Sequence, residues 1–156
     1  MADRDLNHLY PAFSKKVQAA VAEMNRFLSV HYPQYTCKVI EGYRSTARQK
    51  ELYAQGRTKP GRIVTYKNGT SNESNHQSSL SVDLGIFIAK NGAYVEEPPA
   101  QVWNYWGHCV RAQGLEWGGD WKSFKDMPHA EWPTSDKKVY FLARAWQVLQ
   151  KLRGKG

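Results

Sequence analysis

The segment Val82-Asp83-Leu84-Gly85-Ile86-Phe87-Ile88 places the tightest constraint on how this chain can fold. It reads as an apolar strand, yet it carries a carboxylate. An ionised side chain in a mostly buried strand is costly unless it is paired or bound to a metal. Asp83 therefore demands partners from elsewhere in the chain. Two polar clusters offer them: Ser74-Asn75-His76 just upstream, and Asp126-Met127-Pro128-His129 far downstream.

His76 enters from the loop before the strand. His129 lies on a later strand, where Pro128 blocks a helical reading. Two imidazoles and a carboxylate from separate segments suit a catalytic zinc site with three protein ligands and one open position. A further carboxylate could then act on a water. Asp126, three residues before His129, can face that position from an extended or turning segment. Glu131 competes with it, because residues two apart on a strand share a face. Glu131 could orient a ligand, serve as the base or form an ion pair, and the spacing does not choose. His8, His31 and His108 have no partnered context and read as structural.

The rest of the pattern predicts an α+β fold, a small and mainly antiparallel sheet flanked by helices. Phe13, Val17, Ala20, Val21, Met24, Phe27 and Leu28 recur at helical steps, predicting a helix from Pro11 to Val30. Tyr35–Gly42 reads as a strand. Ser45 caps a helix over Thr46–Gln55, which Gly56 closes. A long loop covers 57–75, and long ordered loops in compact domains tend to be functional. After Val82–Ile88, Asn91-Gly92 predicts a hairpin turn back into Ala93–Val95. A helix over Ala100–Gln113, stopped by Gly114, leads to a strand and turn over Leu115–Trp121 and a strand over Pro128–Trp132. The last helix, Ser135–Leu152, is expected to bury Val139, Leu142, Ala143, Trp146 and Leu149. No repeat or linker interrupts the chain, so 1–156 is expected to be one domain without a second, separate module.

The formal charge is +8, with a pI near 9.5. That balance favours a polyanionic partner such as an anionic cell-wall or outer-membrane surface. The lysines and arginines are spread along the chain, which argues against nucleic-acid readout. Cys37 and Cys109 fit neither zinc nor disulfide spacing and read as buried reduced thiols. Residues 1–5 lack the apolar stretch of a signal peptide, and no run reaches transmembrane length. A cytoplasmic origin, no stable membrane insertion and a monomer are expected. Work outside the cytoplasm would require some other route through the membrane.

Several phrases resemble phage and bacterial L-alanyl-D-glutamate peptidases, a branch of the zinc peptidase group that includes D-alanyl-D-alanine carboxypeptidases and dipeptidases. They are Gly42-Tyr43-Arg44-Ser45, Gln49, Leu52 through Thr58, Pro60-Gly61, Ser74-Asn75-His76 through Asp83, Leu115 through Trp121, and Asp126 through His129. The resemblance runs from about Ile40 to Trp132, with its motifs in the right order. It implies the Hedgehog and D-alanyl-D-alanine-peptidase fold. It implies Zn2+ held by His76, Asp83 and His129, with Asp126 as catalytic base and Arg44 steadying a substrate carboxylate or an oxyanion. Gln49 and Ser74 are implied in positioning substrate or a ligand. The implied activity is cleavage of peptidoglycan stem peptides between L-alanine and D-glutamate, as in a phage endolysin that reaches the periplasm after the membrane is breached. Alternatives within reach are a D-alanyl-D-alanine carboxypeptidase or dipeptidase and a catalytically impaired wall-binding module. One departure stands out: Ser79 and Ser81 replace the glycine and alanine usual between the first histidine and its aspartate. A glycine there suggests positive φ or close backbone approach, so serine is expected to strain the turn.

Overall fold

The computed structural model describes residues 1–154. In chain order it contains α1 (Pro11–His31), β1 (Tyr35–Glu41), α2 (Thr46–Ala54), β2 (Ser81–Ile88), α3 (Ala100–Ala112), β3 (Glu116–Trp117), β4 (His129–Glu131) and α4 (Lys137–Leu152). Short 3-10 turns occupy Leu6–His8, Asn75–Ser78 and Gly118–Asp120.

The sheet has the order β1-β2-β4-β3, with every pair antiparallel. Val82, Leu84 and Ile86 alternate along β2 and are fully buried. They join Phe13, Val17, Ala20, Met24 and Leu28 of α1 and Val102, Trp106 and Val110 of α3 in one core. Pro11 starts α1 in the position where its missing N–H does no harm. Asn25 of α1 then stitches the edge strand. Its side-chain oxygen accepts from Cys37 N at 2.9 Å, and its amide donates to Cys37 O at 3.1 Å.

Antiparallel register fixes the site's layout. Asp83 on the central strand pairs with Glu41 of β1 on one side and His129 of β4 on the other. Ser81 pairs with Glu131. Facing residues on neighbouring strands lie on one side of the sheet. The row Glu41–Asp83–His129 is therefore built by backbone hydrogen bonding before any side chain meets.

Two indoles support the turn leading into β4. Trp106 Nε1 donates to Pro128 O at 3.1 Å, and Trp117 Nε1 donates to Met127 O at 2.7 Å. Trp117 lies against the bare backbone of Gly107, where a Cβ would meet its ring.

The predicted architecture is present, with differences at its margins. The return over Ala93–Val95 forms a single bridge, Phe87 to Tyr94, rather than a strand. The 3-10 turn at Asn75–Ser78 arises inside what reads as loop, because Ser74 and Gln77 form a capping box around it. The inner face of α4 is also shifted. Val139, Tyr140 and Ala143 pack inward and Trp146 meets Tyr10 edge-on, while Leu142 and Leu149 are exposed. Cys37 and Cys109 are free and buried, and burial pushes both thiols up to about 12.

Ser81 is fully buried in β2, and its hydroxyl has no hydrogen-bond partner among the described residues. An unpaired buried hydroxyl is destabilising. Ser81→Ala is expected to raise stability by about 1 kcal/mol. The measurement is a urea titration, where the midpoint should rise with an unchanged slope.

Candidate metal centre

Three elements converge on one point. The 3-10 turn after Ser74 presents His76, β2 presents Asp83, and β4 presents His129. One potential ligand atom from each lies within 4.8 Å of the others. His76 Nε2 is 3.4 Å from Asp83 Oδ2, and His129 Nδ1 is 3.1 Å from Asp83 Oδ1.

The outer ring nitrogens determine which inner nitrogens are offered. His76 Nδ1 is 2.7 Å from the Gly42 carbonyl, which can only accept. Nδ1 therefore donates there, which leaves Nε2 as the nitrogen that faces Asp83. His129 Nε2 donates to Glu131 Oε2 at 2.9 Å, and Glu131 also accepts from Asn75 at 2.7 Å. Such partners on the far side of an imidazole fix its tautomer and raise its basicity as a ligand. The donor set of two imidazoles and a carboxylate, each oriented from behind, fits a divalent ion of the zinc type.

Asp126 stands at the edge. Its Oδ2 is 3.9 Å from His129 Nδ1, and its side chain is 46% exposed, so it reaches both the cluster and solvent. Burial and the neighbouring charge of Asp83 hold its carboxyl above the ordinary value. The same Asp83 is held well below it: burial opposes ionisation, but the charge of His76 and the hydrogen bond from His129 outweigh burial. Two nearby carboxylates are thus pushed apart in acidity, which suits one to binding and the other to moving protons. The Trp121 ring, 5.1 Å from that of His129, walls one side.

Arg44 and Gln49 form a second layer. Arg44 Nε and Nη2 donate to the two oxygens of Glu41 at 3.1 and 2.8 Å, and Nη2 lies 3.7 Å from Asp83. Its Nη1 donates to Gln49 Oε1 at 2.9 Å. Gln49 is fully buried, and its amide nitrogen donates to Thr65 Oγ1 and Lys67 O. Gln49 therefore positions Arg44 and the following loop, and direct contact with a substrate does not fit its burial. Ser74 likewise acts on the turn, accepting from His76 N at 3.3 Å. Glu131 takes the orienting role among the three that spacing leaves open. His8 pairs with Asp3, and His31 and His108 flank the stacked Phe27–Tyr105 pair.

The expected strain between the ligands is real. Ser79 adopts φ +61°, a left-handed conformation that favours glycine. Its hydroxyl is held by Gln147 of α4 at 2.8 Å. Residues that sequence reasoning missed are Glu41, Asn75, Trp121 and the Gly42 carbonyl. Glu41 has a signal, a carboxylate three residues before an arginine. The Gly42 carbonyl has none, since backbone groups leave no mark in a sequence.

Fold and site together describe a cluster of candidate metal ligands set on an antiparallel sheet, with a half-exposed carboxylate at its rim. The chain resembles the zinc peptidase group of D-alanyl-D-alanine carboxypeptidases and L-alanyl-D-glutamate peptidases. A family model described as D-alanyl-D-alanine carboxypeptidase matches residues 68–132. The chain is 41% identical over 100 residues to the peptidoglycan L-alanyl-D-glutamate endopeptidase CwlK of Bacillus subtilis. That alignment covers 60% of this chain and 58% of the relative, so the match spans less than two thirds of the relative's length. The L-Ala D-Glu endopeptidase ChiX of Serratia marcescens has a similar structure, with TM-score 0.59 and 26% identity over 88% of this chain and 92% of that one. The vancomycin resistance D,D-pentapeptidase VanY, solved in complex with Zn(II), shares the fold at 16% identity and TM-score 0.50, covering 85% of this chain and 78% of that one.

His129 is pushed up to about 10: burial opposes its charge, but hydrogen bonds to Asp83 and Glu131 and their charges override burial. A proton on Nδ1 thus competes with any cation for the same lone pair. Cation affinity is expected to rise with pH up to about 10. Calorimetry in buffers of different ionisation enthalpy should show about one proton released per ion near neutrality. Glu131→Gln should weaken cation binding about 10–100-fold, measured by competition with a chelator.

Proposed function

We propose that this chain is a zinc endopeptidase of peptidoglycan that cleaves stem peptides between L-alanine and D-glutamate. The carrying observation is the His76, Asp83 and His129 cluster, with both imidazoles oriented from behind and the half-exposed Asp126 at its rim. The printed activities of CwlK and ChiX support the choice of bond.

His76 would hold the ion through Nε2, His129 through Nδ1 and Asp83 through its carboxylate. When bound, zinc would supply Lewis-acid polarisation and make a water more acidic. Asp126 takes the proton of the attacking water at its carboxylate and delivers it to the leaving amine. Its raised pKa suits that exchange, because a base that must return its proton works best near the operating pH. Arg44, braced by Glu41 and Gln49, keeps positive charge beside Asp83 and faces the charge that develops on the substrate. Ser74 keeps His76 in place.

We extend the reading to a lytic role of the endolysin type for a single domain acting as a monomer. The net charge of +8 supports attraction to an anionic wall or outer membrane. A D-alanyl-D-alanine carboxypeptidase is the second reading, favoured by the description of the matching family model.

Digestion of purified peptidoglycan separates the two. New C-terminal L-alanine and N-terminal D-glutamate, read by mass spectrometry, are expected. Release of free D-alanine alone would sink the endopeptidase reading. Asp126→Ala should lower the rate about 10²–10⁴-fold while leaving the metal content per chain unchanged.

A further inference from the structure

Helix α4 has an inner face with clear duties. Val139, Tyr140 and Ala143 pack against the body of the protein, Trp146 meets the Tyr10 ring, and Gln147 bonds Gln77 O and Ser79 Oγ at 2.9 and 2.8 Å. Its outer face has no partner among the described residues. Phe141, Ala145, Val148 and Leu152 recur at steps of four, three and four, which places them in one line along the helix. Phe141 is 73% exposed, Val148 56% and Leu152 79%. Leu142 and Leu149 widen the stripe on one side.

Cations border this stripe. Lys137, Arg144 and Lys151 recur every seven residues along its other edge, with Lys138 at the first turn and Arg153 after the last. Arg144 pairs with Glu73. No aspartate or glutamate occurs from Lys137 to Arg153.

Charge selects the occupant. A second copy docked about a two-fold axis would bring two cationic helices together, and Glu73, the carboxylate beside the stripe, is already committed to Arg144. An anionic bilayer answers both features, since its acyl region takes the apolar stripe and its headgroups take the flanking cations. We propose that the outer face of α4 docks along the surface of an anionic phospholipid bilayer. The helix lies in the interface without crossing, and no helix among the described residues is long and apolar enough to span. The net charge of +8 adds longer-range attraction. The inference does not depend on the peptidase reading.

The test uses the whole chain and sedimentation with vesicles of phosphatidylcholine, either alone or mixed with phosphatidylglycerol. Binding is expected only to the mixed vesicles, with loss as salt rises toward about 0.5 M. The triple variant Phe141→Ser, Val148→Ser, Leu152→Ser keeps every charge and should bind at least about tenfold more weakly. Thermal melts confirm that it stays folded. The pair Lys137→Gln, Lys151→Gln should also weaken binding, by about tenfold or more. Equal binding by the triple variant would show that charge alone holds the protein and would overturn the proposal. So would equal binding to neutral vesicles. A dimer seen by light scattering, abolished by the triple variant and accompanied by no vesicle binding, would assign the face to a second copy and also overturn it.

Discussion

Everything near the sheet's polar side answers to one carboxylate. Asp83 sits on the central strand, between neighbours that are fully buried, and cannot stay charged there alone. Its two oxygens meet His76 and His129, with Arg44 just beyond. Those partners then need neutralising in turn. Glu41 answers Arg44, and Glu131 answers His129. Charges of alternating sign thus spread outward from a single, partly buried group. Each is hydrogen-bonded, which is the condition under which buried charge is tolerated.

This layout separates committed side chains from an accessible one. Gln49, Ser74 and Glu131 are buried, Glu41 is partly buried, and all four are committed to neighbours. Asp126 alone among the carboxylates around His129 keeps a substantial exposed surface. The proton-exchanging role proposed for Asp126 needs that access. The burial pattern therefore distinguishes Asp126 from Glu131, which one-dimensional spacing leaves equivalent.

Much of the fold was legible because it rests on local rules. The apolar period of α1, the serine cap of α2 and the glycine stops follow from propensity and sterics, and the helices lie within a few residues of expectation. Asp83, His76 and His129 were legible because ionisable residues in unusual contexts require explanation. The misreading of α4 has a physical cause. Its apolar residues cover more than one face, and the sequence does not reveal which face meets the protein. The resemblance implies Gln49 in positioning substrate or a ligand, whereas its complete burial arises from the loop that folds over it, which the sequence does not reveal. The strain at Ser79 was legible as a departure from a pattern, but the bond from Gln147 depends on a helix far along the chain.

The pairing of β2 with β4 has a consequence for the integrity of the folded population. Side chains alternate between the two sides of a strand, so a slip of one residue would turn Asp83 into the core and Leu84 toward the polar side. Such a chain would carry an unpaired buried charge and lose packing in the same step. Correct alignment and a complete ligand set are therefore one structural event. The fold supplies its own proofreading, because a molecule that has lost its chemistry through misalignment has also lost the means to stay folded.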